Sequence, residues 1–263
     1  MVGQGELIES IESHSLDTLP HSLLLIGEPG CGKHTLAQEL GDHYRIGVVD
    51  MTDNLTLEAI QGMYLEPYPH FYVVDMNRVT EKSQNTILKF LEEPCMNAYL
   101  ILLATSRSIL LDTVMNRCVP YEFRPYARNE LMQFLDFSEN VEVLLDYCNT
   151  PGQVLKADAK AIPDLIKLCD NIISNVGKAR FPNIFRVSDR LDVDDKGEGH
   201  DLSLFHNVLM SRLLDGYAKT HDRRLYLMYN EASKSLKALN CLKYNKRNLM
   251  DSLMIALWGI GRQ

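Results

Sequence analysis

What the chain lacks narrows its function first. No apolar run approaches the ~20 residues that a membrane-spanning helix needs. The opening stretch, MVGQGELIES, has no basic segment followed by an apolar one, so no secretory signal is predicted and a cytoplasmic protein with no membrane partner is expected. The six cysteines (Cys31, Cys95, Cys118, Cys148, Cys169 and Cys241) are scattered without one C-x-x-C pair. That spacing argues against a zinc site and a disulfide framework and leaves buried free thiols as the reading. Internal repeats and low-complexity tracts are missing. So is any Ser-His-Asp, Cys-His or converging carboxylate arrangement. Glu92 and Glu93 adjoin, but neighbours on a helix point about 100° apart and do not converge on one substrate.

Positive charge is short as well. The 263 residues carry a formal net charge of −8, unevenly spread. From Tyr217 onward there are nine Lys or Arg against three Asp or Glu, leaving 18 against 32 in the preceding residues. A basic tail on an acidic body fits either a polyanionic or acidic partner near the C-terminus or a solvated helical surface. Hydrophobic content of 46% and charged content of 24% describe a globular chain with ample material for a core.

The residues that are present are organised around positions 71–118. Two apolar runs of strand length, 71–74 and 99–104, are rich in large and β-branched side chains and read as strands buried on both faces. Between them, residues 83–93 place Ile87, Leu88, Phe90 and Leu91 at helical spacing before Pro94 ends the helix. Strand, crossover helix and strand make a βαβ unit of a parallel sheet. Asp75 follows the first strand and Thr105-Ser106 the second, at the sheet edge where open α/β folds bind ligands.

Upstream, residues 22–26 read as another buried strand, 27–33 as a glycine-rich turn and 35–40 as the start of a helix. The G-x-x-x-x-G-K pattern is present at Gly27, Gly32 and Lys33, with Gly30 inside it. Its glycines let backbone N–H groups turn inward, and the helix N-terminus and lysine add positive potential for phosphate. The pattern departs from a working site. His34 stands where a Mg²⁺-binding hydroxyl is needed, with Thr35 one place late. Asp75 can hold the metal's water shell, but the next residue is Met76, which cannot accept a proton from an attacking water.

The runs LPHSLLLIGEPGCGKHTLA, SQNTILKFLEEP and ILLATS with the later NRC resemble the AAA+ clamp-loader subunits of DNA replication, and among them the delta-prime type. The family's Asn-x-Leu-Leu-Lys-x-Leu-Glu-Glu-Pro block stands here as Asn85, Ile87, Leu88, Lys89, Leu91, Glu92, Glu93 and Pro94. The resemblance implies that Arg117, in Asn116-Arg117-Cys118 where the family has Ser-Arg-Cys, is an arginine finger that reaches a neighbouring subunit's ATP. A planar, permanently charged fork suits that task. It also implies that residues 149–155 open the last helix of a small lid. Gln153 there replaces the nucleotide-touching arginine of active members. The four-cysteine zinc module of many bacterial relatives has no counterpart in residues 41–70.

Pro120 and Pro125 are expected to mark a boundary. Residues 129–137, 141–147 and 152–158 read as three short helices. Beyond them, 161–176, 202–217, 222–239 and 246–258 read as amphipathic helices, and 190–201 as a mobile loop. The expected architecture is an α/β AAA+ core with a parallel sheet (1–122), a small helical lid (123–160) and an all-α collar (161–263). Met254, Trp258 and Tyr244 are either subunit-contact anchors or core. The expected function is a delta-prime-like stator with a degenerate site (Gly27, Gly30, Gly32, Lys33, Thr35, Asp75) that leaves ATP and Mg²⁺ binding without hydrolysis open and holds no zinc, while Arg117 serves a neighbour. Its expected partners are gamma/tau-type and delta-type subunits, the sliding clamp indirectly, and primer-template DNA. An active gamma/tau-like ATPase and a purely structural scaffold remain the alternatives.

Overall fold

In the computed structural model, which describes residues 3–135, 141–191, 201–239 and 245–263, the predicted βαβ unit sits in the middle of a five-stranded parallel sheet. The chain enters through α1 (Gly5–Glu12), β1 (Ser22–Ile26), α2 (Lys33–Tyr44), β2 (Gly47–Asp50) and α3 (Leu57–Met63). It continues through β3 (His70–Asp75), α4 (Glu81–Thr86), α5 (Leu88–Glu92), β4 (Ala98–Ala104), α6 (Asp112–Met115) and β5 (Val119–Glu122). Strand order is β2-β3-β4-β1-β5, with β1 paired to β4 from Ser22 opposite Leu100 to Ile26 opposite Ala104.

The sheet is buried on both faces because its central strands are almost wholly apolar, with Ser22 the one polar side chain in β1. Every residue of β1 and β4 is buried, which only a sheet covered on two sides allows. One face gathers Leu23, Leu25, Phe71, Val73, Ile101 and Leu103 against Leu36 and Leu40 of α2. The other gathers Leu24, Val74, Leu100 and Leu102 with Ile60, Phe90, Leu91 and Val114 from the helices α3, α5 and α6. Truncating one such leucine to alanine costs about 2–5 kcal/mol.

Two expectations are corrected. The single helix read over residues 83–93 is two, α4 and α5, meeting at Ile87. Pro120 does not mark a boundary: it lies inside β5, opposite Leu24. Because β5 is the sheet's outer strand, a residue with no N–H to give is tolerated there.

The chain divides into two compact units, Met1–Glu130 with Thr150–Gly152, and Leu131–Asn149 with Gln153–Gln263. At their borders lie α7 (Arg128–Leu131) and α8 (Pro151–Lys156). A 3₁₀ segment, Val141–Asp146, stands where the second lid helix was expected. The second unit adds α9 (Ile162–Asn175), α10 (Arg186–Arg190), α11 (Leu202–Thr220), α12 (Arg223–Leu239) and α13 (Lys246–Gly261). Its core includes Leu165, Cys169, Phe205, Leu209, Met228, Met250, Leu253 and Leu257.

Met254 is fully buried in that unit, so it packs the interior. Trp258 is partly buried: its Nε1–H donates to the Ala179 carbonyl at 2.9 Å, and the Arg262 guanidinium lies 4.8 Å over its ring. Tyr244, Cys241 and nearly all of the expected loop at 190–201 fall outside the described residues. No described helix is long and apolar enough to cross a membrane.

Candidate functional site

The glycine-rich turn follows β1 directly and ends at the first residue of α2. Gly30 and Gly32 have φ of 79° and 100°, a region that costs little only for residues without a Cβ. Gly27 is required for a different reason: a Cβ there would lie 2.7 Å from the Cys31 sulfur and 2.8 Å from the Phe123 Cβ. The loop has the backbone of a phosphate cradle at a helix N-terminus.

Lys33 is turned into that cradle. Its Nζ donates to the Gly27 carbonyl at 2.6 Å and the Glu28 carbonyl at 3.0 Å, and it reaches the Cys31 sulfur at 3.7 Å. An ammonium has three N–H donors, and the loop itself supplies an acceptor for each. Only 7% of Lys33 is exposed. Burial pushes its ammonium below the usual lysine range, against the opposing pull of Cys31, Asp75 and Glu28. The loop is also held from outside. Tyr126 donates to the Cys31 carbonyl at 2.7 Å, Thr150 to the Pro29 carbonyl at 2.9 Å, and the Gly152 N–H to the Gly30 carbonyl at 2.9 Å.

At the carboxyl ends of β3 and β4, Asp75 and Thr105 are joined through a residue the sequence reading passed over. Asn77 donates to Asp75 Oδ1 from its backbone N–H (3.0 Å) and its side-chain amide (2.5 Å). Its own side-chain oxygen accepts from the Thr105 N–H (3.2 Å) and hydroxyl (2.7 Å). The one available signal was an Asx turn, an acid capping the N–H two residues on. Met76 is 1% exposed and belongs to the apolar cluster with Ile60, Met63 and Leu91. An acid at that position would face hydrocarbon rather than a water molecule. Thr35 and His34 are exposed on the first turn of α2. Gln153 closes its own helix, its Oε1 accepting from the Asn149 N–H at 2.8 Å.

The loop's backbone, Thr35 and Asp75 could hold phosphate and metal. Lys33 hydrogen-bonds to its own loop, and the residue after Asp75 is the buried Met76.

Arg117 stands apart from this cluster. It follows α6 and its cap Asn116 and precedes Cys118. Cys118 is buried against the Leu24 side of the sheet, where burial pushes its thiol up to about 12, so it is a neutral packing group. Burying Cys118 anchors the loop, while Arg117 and Asn116 remain at the surface. β5 runs parallel to β1 with Val119 opposite Leu23. Arg117 therefore sits at the amino-terminal edge of the sheet, whereas the phosphate loop leaves the carboxyl edge. The four steps from Leu23 to Gly27 alone span about 13 Å at the strand rise, too far for Arg117 to serve its own loop.

Residues 45–127 match the family described as "DNA polymerase III, delta subunit". Among curated proteins, the chain is 26% identical over 170 residues to replication factor C small subunit 1 of Pyrobaculum aerophilum, covering 57% of this chain and 51% of that protein. It is 27% identical over 154 residues to the DNA polymerase III subunit delta' of Bacillus subtilis, covering 45% of this chain and 46% of that one. The chain thus spans about half the length of the curated relatives it matches. The solved structure of a DNA polymerase III gamma subunit-related protein from Thermotoga maritima superposes with a TM-score of 0.51 at 17% identity, over 99% of this chain and 100% of that one. That likeness is one of fold.

Proposed function

Taking as premise a chain similar in sequence to the clamp-loader subunits of DNA replication and built on their AAA+ fold, we propose that it is a delta-prime-like stator that offers Arg117 to the ATP of an adjacent subunit. One observation carries this reading. An exposed arginine stands at the sheet edge opposite its own phosphate loop, so any phosphate it meets belongs to another chain. A guanidinium placed there neutralises charge on transferring phosphoryl oxygens, as arginine fingers do.

The phosphate loop supports the passive half of the reading. Lys33 bonds its own loop, Met76 is buried, and Gln153 is uncharged. In this proposal residues 27–35 are kept as a fold element, 123–160 act as the lid and 161–263 as the collar. The neighbours are gamma/tau-type and delta-type subunits, and the assembly opens a sliding clamp and loads it on primed DNA.

Two measurements test the proposal. Purified alone, the chain is expected to show no ATP turnover; robust hydrolysis abolished by Lys33→Ala would establish an active gamma/tau-like ATPase instead. In a loader reassembled with the ATPase subunits that co-purify with the chain, Arg117→Ala is expected to lower hydrolysis by tenfold or more, about 1.4 kcal/mol in barrier. An unchanged rate would leave a structural scaffold.

A further inference from the structure

Arg117 does not stand free at the surface. Its Nη2 lies 2.8 Å from Glu92 Oε1, and its Nη1 donates to the Thr113 carbonyl at 2.8 Å. Glu92 is the last residue of α5, two positions before Pro94. A carboxylate at a helix C-terminus faces the negative end of the peptide dipoles, so a cation held against it relieves an unfavourable position. Glu93 plays no part in this contact; its carbonyl accepts from Tyr64 at 2.8 Å.

We propose that Glu92 is a positioning residue, the resting partner from which Arg117 must be released before it can act on a neighbour's nucleotide. The proposal rests on the finger reading above and deepens it. In the resting position the fork curls back over α6, and each terminal nitrogen is committed to an acceptor of its own chain. The guanidinium charge is then neutralised at close range by a carboxylate, whereas a finger works through charge delivered unshielded to phosphoryl oxygens. Release is feasible because the pair is open to solvent, the two side chains being 36% and 53% exposed. Exposed pairs are weak, and salt weakens them further. A triphosphate carrying several negative charges can outcompete one carboxylate. Glu92 would thus keep the finger off until an occupied site is docked against it.

The test is a double-mutant cycle on the reassembled loader, with ATP hydrolysis measured against ATP concentration at low and high salt. Glu92→Gln keeps the side chain's length and removes its charge. It is expected to raise kcat/KM by about two- to fivefold at low salt, the range an exposed ion pair allows. The gain should shrink at high salt and vanish in the Arg117→Ala background. Thermal melts matching wild type would show that Glu92→Gln leaves the fold intact. A Glu92→Gln rate equal to or below wild type, with Arg117→Ala still impaired, overturns the resting-partner proposal and leaves the finger standing. A gain that persists without Arg117 also overturns it, because Glu92 would then act elsewhere. Should Arg117→Ala change nothing, the finger reading fails and this proposal fails with it.

Discussion

His206 shows how one buried titratable side chain ties a helix pair together and makes it sensitive to pH. It is fully buried, with Nδ1 2.6 Å from the Leu202 carbonyl and Nε2 2.9 Å from the Ser235 hydroxyl. A carbonyl can only accept, so the proton sits on Nδ1 and Nε2 accepts from Ser235, which fixes a neutral tautomer. Burial pushes the His206 pKa down. In the unfolded chain it titrates near ~6.5. Between that value and the lower folded one, the unfolded state binds the extra proton, so stability is full above pH ~6.5 and is lost as pH falls below it. Denaturant melts from pH ~7.5 to ~5 should show this loss in wild type. His206→Gln should show a flatter dependence, and equal slopes would remove His206 as the cause.

Among the elements, the break between α4 and α5 is the most instructive. Apolar periodicity read one helix across it, since Ile87, Leu88, Phe90 and Leu91 all face the core side. What periodicity could not register is Gln84, 1% exposed. Its amide donates to the Ile109 carbonyl at 2.9 Å and its Oε1 accepts from the Leu111 N–H at 2.9 Å. These two bonds dock α4 on the loop that leads into α6 and on to Arg117. A polar residue on a mostly polar helical turn gives no sign that its partners lie in a distant loop. Gln84→Leu should leave that carbonyl and N–H, both part-buried, unpaired, costing about 1–2 kcal/mol. Urea unfolding should report it as a lower midpoint at unchanged slope; a shift below ~0.5 kcal/mol would mean that water reaches both groups. β5 teaches the converse. Two prolines close together in sequence read as a boundary, but the pairing of Pro120 opposite Leu24 depends on the strand's being at the edge, and a local reading does not know which strand is outermost.

For the whole molecule, the question is whether a phosphate loop that satisfies its own lysine still binds nucleotide. A ligand at a hundred times its Kd stabilises the folded state by about 2.7 kcal/mol, roughly a 5 °C or larger rise in midpoint for a unit of this size. Millimolar ATP with Mg²⁺ is expected to leave the isolated chain's melting midpoint unmoved. A rise of ~5 °C that Lys33→Ala removes would show that nucleotide displaces the Gly27 and Glu28 carbonyls from the lysine. Charge at this scale stayed ambiguous in the sequence. Part of the basic excess after Tyr217 is paired with an acid that precedes that stretch, Arg247 with Asp189.

Local sequence sufficed to specify the buried parallel strands, the phosphate loop, the methionine after Asp75, and the Asn116-Arg117-Cys118 segment. These are readable because side-chain periodicity, glycine placement and residue chemistry act over a few neighbouring positions. The tertiary structure alone decided that Lys33 bonds its own loop, that Asn77 links Asp75 to Thr105, and that Arg117 lies at the far edge of the sheet paired with Glu92. Each of those facts is a meeting of groups distant along the chain. Strand order and register bring them together, and no local pattern encodes which strands become neighbours.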